Sequence, residues 1–131
     1  MPITTLTFEH LDQMVDIELR CYPFPWSKRT FVDELQNVVS RMVGVVDEGI
    51  LKAMLIYWLV AEEIHILNVA THPQHQRQGL ARRLLEHLLE EAEILGATHI
   101  HLEVRTSNVG AQQLYQGLGF RVEGTRQGYY E

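Results

Sequence analysis

The sequence predicts an α+β domain: a mixed, mostly antiparallel sheet between helices, in three layers. Three observations carry that expectation. Arg41–Val46 and Ile50–Val60 are apolar, β-branched-rich segments joined by Asp47-Glu48-Gly49, which is hairpin chemistry. Further on, the strand-like Glu63–Ala70 leads through Gly79 into Leu84, Leu85, Leu88, Leu89, Ala92 and Leu95 at helical spacing, and Thr98–Arg105 alternates again. Strand, helix and strand in that order make one β-α-β crossover, which sets a parallel pair into an otherwise antiparallel sheet. Finally, the 131 residues show no internal repeat or low-complexity linker, so 1–131 reads as a single domain long enough to bury a core.

Each element has a local reason. Ile3–Leu6 reads as a short strand, and Thr7 can cap a helix running from about Phe8 to Arg20. Pro23 and Pro25 punctuate a loop, after which Ser27 can cap a second helix carrying Phe31 and Leu35. The hairpin and the alternating strand Glu63–Ala70 follow. The leucine-rich helix stops at Gly96, the residue that best tolerates a left-handed C-cap. Val109–Gly117 reads as a short helix and Phe120–Glu123 as a last strand.

Composition narrows the function. Lys+Arg total 11 against 17 Asp+Glu, a formal net charge of −6, which argues against nucleic acid as a direct ligand and tolerates cationic partners. Cys21 is the only cysteine, so no internal disulfide can form and a reducing compartment fits. Met1-Pro2-Ile3 opens no signal peptide, and the apolar stretch Ala53–Ala61 is too short to span a bilayer. The expectation is a cytoplasmic protein with no membrane partner.

The most informative stretch is Gln76-Arg77-Gln78-Gly79-Leu80-Ala81, between the strand and the long helix. A glycine at a helix start lets backbone N–H groups close on an anion, and the helix dipole adds attraction for phosphate. Neither G-x-G-x-x-G nor the P-loop pattern is present. The spacing Gln-x-x-Gly-x-Ala instead resembles the acetyl-CoA pyrophosphate loop of the GNAT N-acetyltransferase superfamily. Leu102-Glu103-Val104-Arg105, Ser107-Asn108, Ala111, Leu114-Tyr115 and Leu118-Gly119-Phe120 resemble the second half of such a domain. Phe24-Pro25-Trp26-Ser27, Thr30-Phe31 and Asn68-Val69-Ala70 resemble one branch, the bacterial ribosomal-protein-alanine N-acetyltransferases.

The resemblance implies the GNAT fold, acetyl-CoA as co-substrate, and direct transfer to the N-terminal alanine amine of a small-subunit ribosomal protein. It implies that Val69, Ala70 and Thr71 meet the pantetheine arm through backbone groups. Arg77, Gln78, Gly79, Leu80, Ala81 and Arg82 would wrap the pyrophosphate, with Asn108 holding the pantetheine from the other side. Glu103 takes the general-base role and Tyr115 that of general acid; Tyr22 and Phe24 would border the acceptor groove. The chemistry agrees with such a pair. A free α-amino group has a pKa of about 8, so a carboxylate that takes its proton helps, and a proton donor helps the departing thiolate. Taken alone, Glu103 is equally a surface carboxylate on a strand, and Tyr115 a core aromatic between Leu114 and Leu118.

Other readings compete. His99, His101 and Glu103 alternate on one face of a strand, about 6–7 Å apart, a spacing a metal-dependent hydrolase could use, although no metal is expected. His72 and His75 flank a proline in a loop and are expected to face solvent. Within the same class, a lysine or a small-molecule amine could be the acceptor. A non-catalytic acyl-CoA-binding subunit is the alternative outside it. The resembled enzymes continue beyond Tyr129-Tyr130 with another strand, so an open sheet edge, coverable by pairing with a second copy, is also expected.

Overall fold

The computed structural model describes residues 2–102. Strand β1 (Ile3–Thr5) is followed by a single 3-10 turn (Phe8–His10) and helix α1 (Leu11–Cys21), then α2 (Lys28–Leu35). Strands β2 (Ser40–Asp47), β3 (Ile50–Val60) and β4 (Glu63–Thr71) come next, then a 3-10 turn (Pro73–His75), α3 (Leu80–Leu95) and β5 (His99–Leu102). The sheet order is β1-β2-β3-β4-β5, antiparallel at every junction except the parallel β4–β5 pair across the α3 crossover. This is the mixed α+β architecture the sequence predicts.

The caps explain where the helices begin and end. Thr7 accepts the Glu9 amide, and His10 reaches back to the Thr7 amide at 3.0 Å, so the first turn tightens into 3-10 geometry instead of opening directly as α-helix. Ser27 Oγ accepts the Thr30 amide at 3.2 Å and starts α2. Gly96, at φ 71°, closes α3.

Two cores lie on opposite faces of the sheet. Leu80, Leu84, Leu85, Leu88 and Ala92 of α3 pack on Leu55, Tyr57, Ile64 and Ile66. On the other face Met14 and Ile17 of α1, Phe31 of α2 and Trp26 from the intervening loop pack on Met54, Ile56, Leu67 and Ala70. Trp26 and Phe31 meet with ring centroids 5.4 Å apart. Where β2 runs between β1 and β3, only glycine fits: a Cβ on Gly44 would stand 2.7 Å from Leu51 Cδ1 and 2.8 Å from the Ala53 carbonyl oxygen.

Strand β4 departs from the simple alternation predicted for Glu63–Ala70. Ile56 pairs with Asn68 but Tyr57 with Ile66, leaving Leu67 as an extra residue. Such a bulge turns two successive side chains to one side. Ile64 and Ile66 face α3, whereas Leu67 packs on the α1/α2 face and Asn68 reaches α1 there. The sequence Ile66-Leu67-Asn68 has no polar residue between its apolar pair, which is the local sign of the slip.

Candidate active site

The site is built where β4 runs out and α3 begins. Gly79 is the N-cap of α3 at φ 74°, and no side chain caps that end. The first bond of the helix runs from the Arg83 amide to the Gly79 carbonyl at 3.0 Å, so the amides of Leu80, Ala81 and Arg82 have no partner further back in the helix. They point out of a 16-residue helix at its positive end, with exposed Arg77 and Arg82 beside them. A Cβ built on Gly79 meets nothing within 4 Å, so its conformation and not crowding selects glycine. Arg77 also lies at positive φ, 63°, which bends the 76–79 loop around this end. A pyrophosphate fits that set of donors.

The second component is the edge of β4. The His72 amide bonds to the Lys52 carbonyl at 2.9 Å, and Ala70 pairs with Met54, so alternate residues turn their backbone groups into the β3 ladder. Val69 and Thr71 therefore present theirs to the opposite edge, while Ala70 turns its own toward β3. On that edge the β4–β5 ladder, among the described residues, ends at Ile66 opposite Leu102. The Tyr22 hydroxyl donates to the Val69 carbonyl, and the Cys21 thiol to the Thr71 carbonyl at 3.2 Å. An extended amide-bearing chain laid along this edge would find strand-like partners.

A buried carboxyl that the sequence reading missed ties these parts together. Glu18 is fully buried on α1; its Oε1 accepts Asn68 Nδ2 at 2.7 Å and its Oε2 accepts the Trp26 amide at 2.8 Å. One side chain thus fastens α1, the Pro-rich loop and the bulge of β4. Glu18 occupies a position in the apolar stripe of α1 between Ile17 and Cys21, and a charged residue there was the available signal. Asn68 is likewise buried, with its Oδ1 unpartnered among the described residues. Burial, reinforced by the charge of Glu18, pushes the Cys21 thiol above its ordinary range. Cys21 is thus no poised nucleophile.

The structure gathers Val69, Ala70, Thr71, Arg77, Gln78, Gly79, Leu80, Ala81 and Arg82 around one strand–helix junction. Glu103, Asn108 and Tyr115, and the elements expected at Val109–Gly117 and Phe120–Glu123, lie outside the described residues. Phe24 is exposed beside the loop, and Trp26 is core. His72 corrects its expectation: its side chain is only 16% exposed, because it caps the 3-10 turn by accepting the Gln74 amide and lies against Asp16 of α1. Of the trio His99, His101 and Glu103, the last lies outside the described residues. The parallel register sets His65 opposite His101 and brings in Glu63 of β4.

Fold and site together define an α+β domain in which a glycine-led crossover helix starts beside the edge of β4 that faces away from β3. The model of the acetyltransferase (GNAT) family matches residues 11–120. The ribosomal protein bS18-alanine N-acetyltransferase of Escherichia coli (strain K12) is 39% identical over 130 residues, 98% of this chain and 86% of that one. The crystal structure of the ribosomal-protein-S18-alanine N-acetyltransferase from Escherichia coli gives a TM-score of 0.89 at 39% identity, covering 98% of this chain and 83% of that chain. PaiA N-acetyltransferase from Thermoplasma acidophilum, solved in complex with coenzyme A, shares the fold at 18% identity, with a TM-score of 0.82 over 95% of this chain and 92% of that one. The chain belongs to the acetyltransferase (GNAT) family.

Proposed function

We propose that this protein moves the acetyl group of acetyl-CoA to the N-terminal alanine amine of a small-subunit ribosomal protein, in the cytoplasm. The likeness to the Escherichia coli alanine N-acetyltransferase along 98% of the chain carries the choice of acceptor. The uncapped, glycine-led start of α3 beside the bulged β4 supports the choice of donor. In this reading the pyrophosphate rests on the amides of Leu80, Ala81 and Arg82, and the pantetheine runs along the Val69–Thr71 edge.

The reaction is direct. The neutral amine attacks the thioester carbonyl carbon, the C–S bond breaks, the amine proton passes to Glu103, and the CoA thiolate takes a proton from Tyr115. The Val69 amide, turned to the open edge, would polarise the thioester carbonyl as its oxygen gains charge. Those two side-chain roles rest on the motif positions alone. The test is mass spectrometry of protein N-termini after incubation of ribosomal proteins with enzyme and acetyl-CoA. One alanine-initiated small-subunit protein should gain an acetyl group, Glu103→Gln should slow turnover much more than it weakens coenzyme binding, and Tyr115→Phe should also slow turnover. Acetylation confined to lysines or free amines would move the protein elsewhere in its family.

A further inference from the structure

At the N-terminal end of the β4–β5 pair, on the face shared with α1 and α2, stands a group of side chains to which the proposed reaction gives no role. Glu63 and His65 lie on β4, His99 and His101 on β5, and the parallel register sets Glu63 opposite His99 and His65 opposite His101. The His65 and His101 rings stack at 4.7 Å with 17° between their planes. Both present Nε2 to one carboxyl: Glu63 Oε1 is 3.2 Å from His101 Nε2, and Glu63 Oε2 is 3.7 Å from His65 Nε2.

We infer that Glu63, His65 and His101 form a surface site for a divalent transition-metal ion, best suited to Zn2+, that cross-links β4 to β5. The argument is geometric. Ligands held about 2.0–2.1 Å from a tetrahedral ion stand about 3.4 Å from one another. Each imidazole Nε2 already stands near that distance from one oxygen of the Glu63 carboxyl, and one ligand atom from each residue lies within 4.8 Å of the other two. Side-chain rotation alone can close the remaining gap. Two imidazoles and one carboxylate suit Zn2+ and its neighbours and disfavour Mg2+ or Ca2+, which take oxygen ligands. Partial exposure of all three residues leaves an entry path and room for water as the fourth ligand. His99 stands aside, with its Nδ1 3.0 Å from Thr98 Oγ1. An exposed carboxylate–imidazole pair adds little to folding, so the convergence has a small structural use and a larger ligating one.

Val69 lies four residues beyond His65 on β4, about 13 Å at ~3.3 Å per residue, so the site is set back along the strand from the residues proposed to meet the pantetheine. The test uses the full chain, free of any affinity tag and stripped with chelator. Calorimetric titration with Zn2+ should give one site with micromolar or tighter affinity, and Co2+ should give the visible d–d spectrum of a four- or five-coordinate ion. His65→Gln, His101→Gln and Glu63→Gln should each weaken Zn2+ at least about tenfold, while His75→Gln and His87→Gln leave it unchanged. Glu63→Gln keeps the side-chain shape, and circular dichroism of each variant separates ligand loss from misfolding. Failure of the wild-type chain to bind Zn2+, or undiminished binding in a folded His65→Gln/His101→Gln double variant, overturns the assignment.

Discussion

Single residues decide the site through conformation more than through contacts. Gly79 sits in the left-handed region with open space around it, so Gly79→Ala adds no clash but holds an L-residue at φ 74°. The cost should be about 1–2 kcal/mol. Urea denaturation should register that loss, and coenzyme affinity should fall with it, because the α3 amides lose their orientation. Cys21 offers a second check. Its folded thiol holds the proton to higher pH than the unfolded chain does, so the stability it contributes is complete below the ordinary thiol range and drains away as pH climbs through it. Alkylation by iodoacetamide at neutral pH should be slower than for a free cysteine, and urea midpoints should decline on the alkaline side; rapid neutral labelling would contradict the burial described here. At this scale the glycine was legible in the sequence because φ > 0 leaves a compositional mark. Glu18 left a weaker mark, a charge within the apolar stripe of α1, and that mark does not name its partners, the Trp26 amide and Asn68.

Among elements, β4 carries the most consequence. The sequence foretold a strand across Glu63–Ala70, the hairpin before it and the amphipathic helix after it, since each rests on period and turn chemistry. It did not foretell the extra residue at Leu67. A bulge is a relation between two strands, and the alternation of either alone does not specify it. The same limit applies to the histidines: spacing along β5 shows His99 and His101, whereas Glu63 and His65 join them only through the pairing of β4 with β5. Removing Leu67 should therefore do more than truncating it. Leu67→Ala in this buried position should cost about 2–3 kcal/mol while coenzyme binding persists. Deletion of Leu67 should turn Asn68 away from Glu18, reverse which of Val69 and Ala70 faces away from β3, and abolish coenzyme binding. Isothermal titration with CoA on both variants distinguishes the two. Equal CoA affinity in the deletion would remove the bulge from the argument.

For the whole molecule, the α+β class, the β2–β3 hairpin and the parallel crossover followed from three sequence signals, whereas the full strand order came from the structure and the partition into two cores was legible only in part. The α3 face is announced by leucines at helical spacing; the α1/α2 face depends on loop residues such as Trp26, whose burial no periodicity encodes. The net charge of −6 has its own measurable effect. If the acceptor is a basic tail, raising ionic strength should raise KM for that peptide and leave KM for an uncharged peptide nearly constant. At about 1 M salt the screening length shrinks to about 3 Å. A salt-insensitive KM for the basic peptide would mean that local contacts alone, with no long-range field, draw the acceptor in. Among the described residues, no helix is long and apolar enough to cross a membrane.

The triple anchorage of Glu18 has one more consequence. Because the Trp26 amide is held by the same carboxyl that grips Asn68, the Pro-rich loop is tied at Trp26 to both α1 and β4. Deuterium should enter the Trp26 amide only through openings that also disturb α1 and the middle of β4, at a rate set by a cooperative unit of the fold.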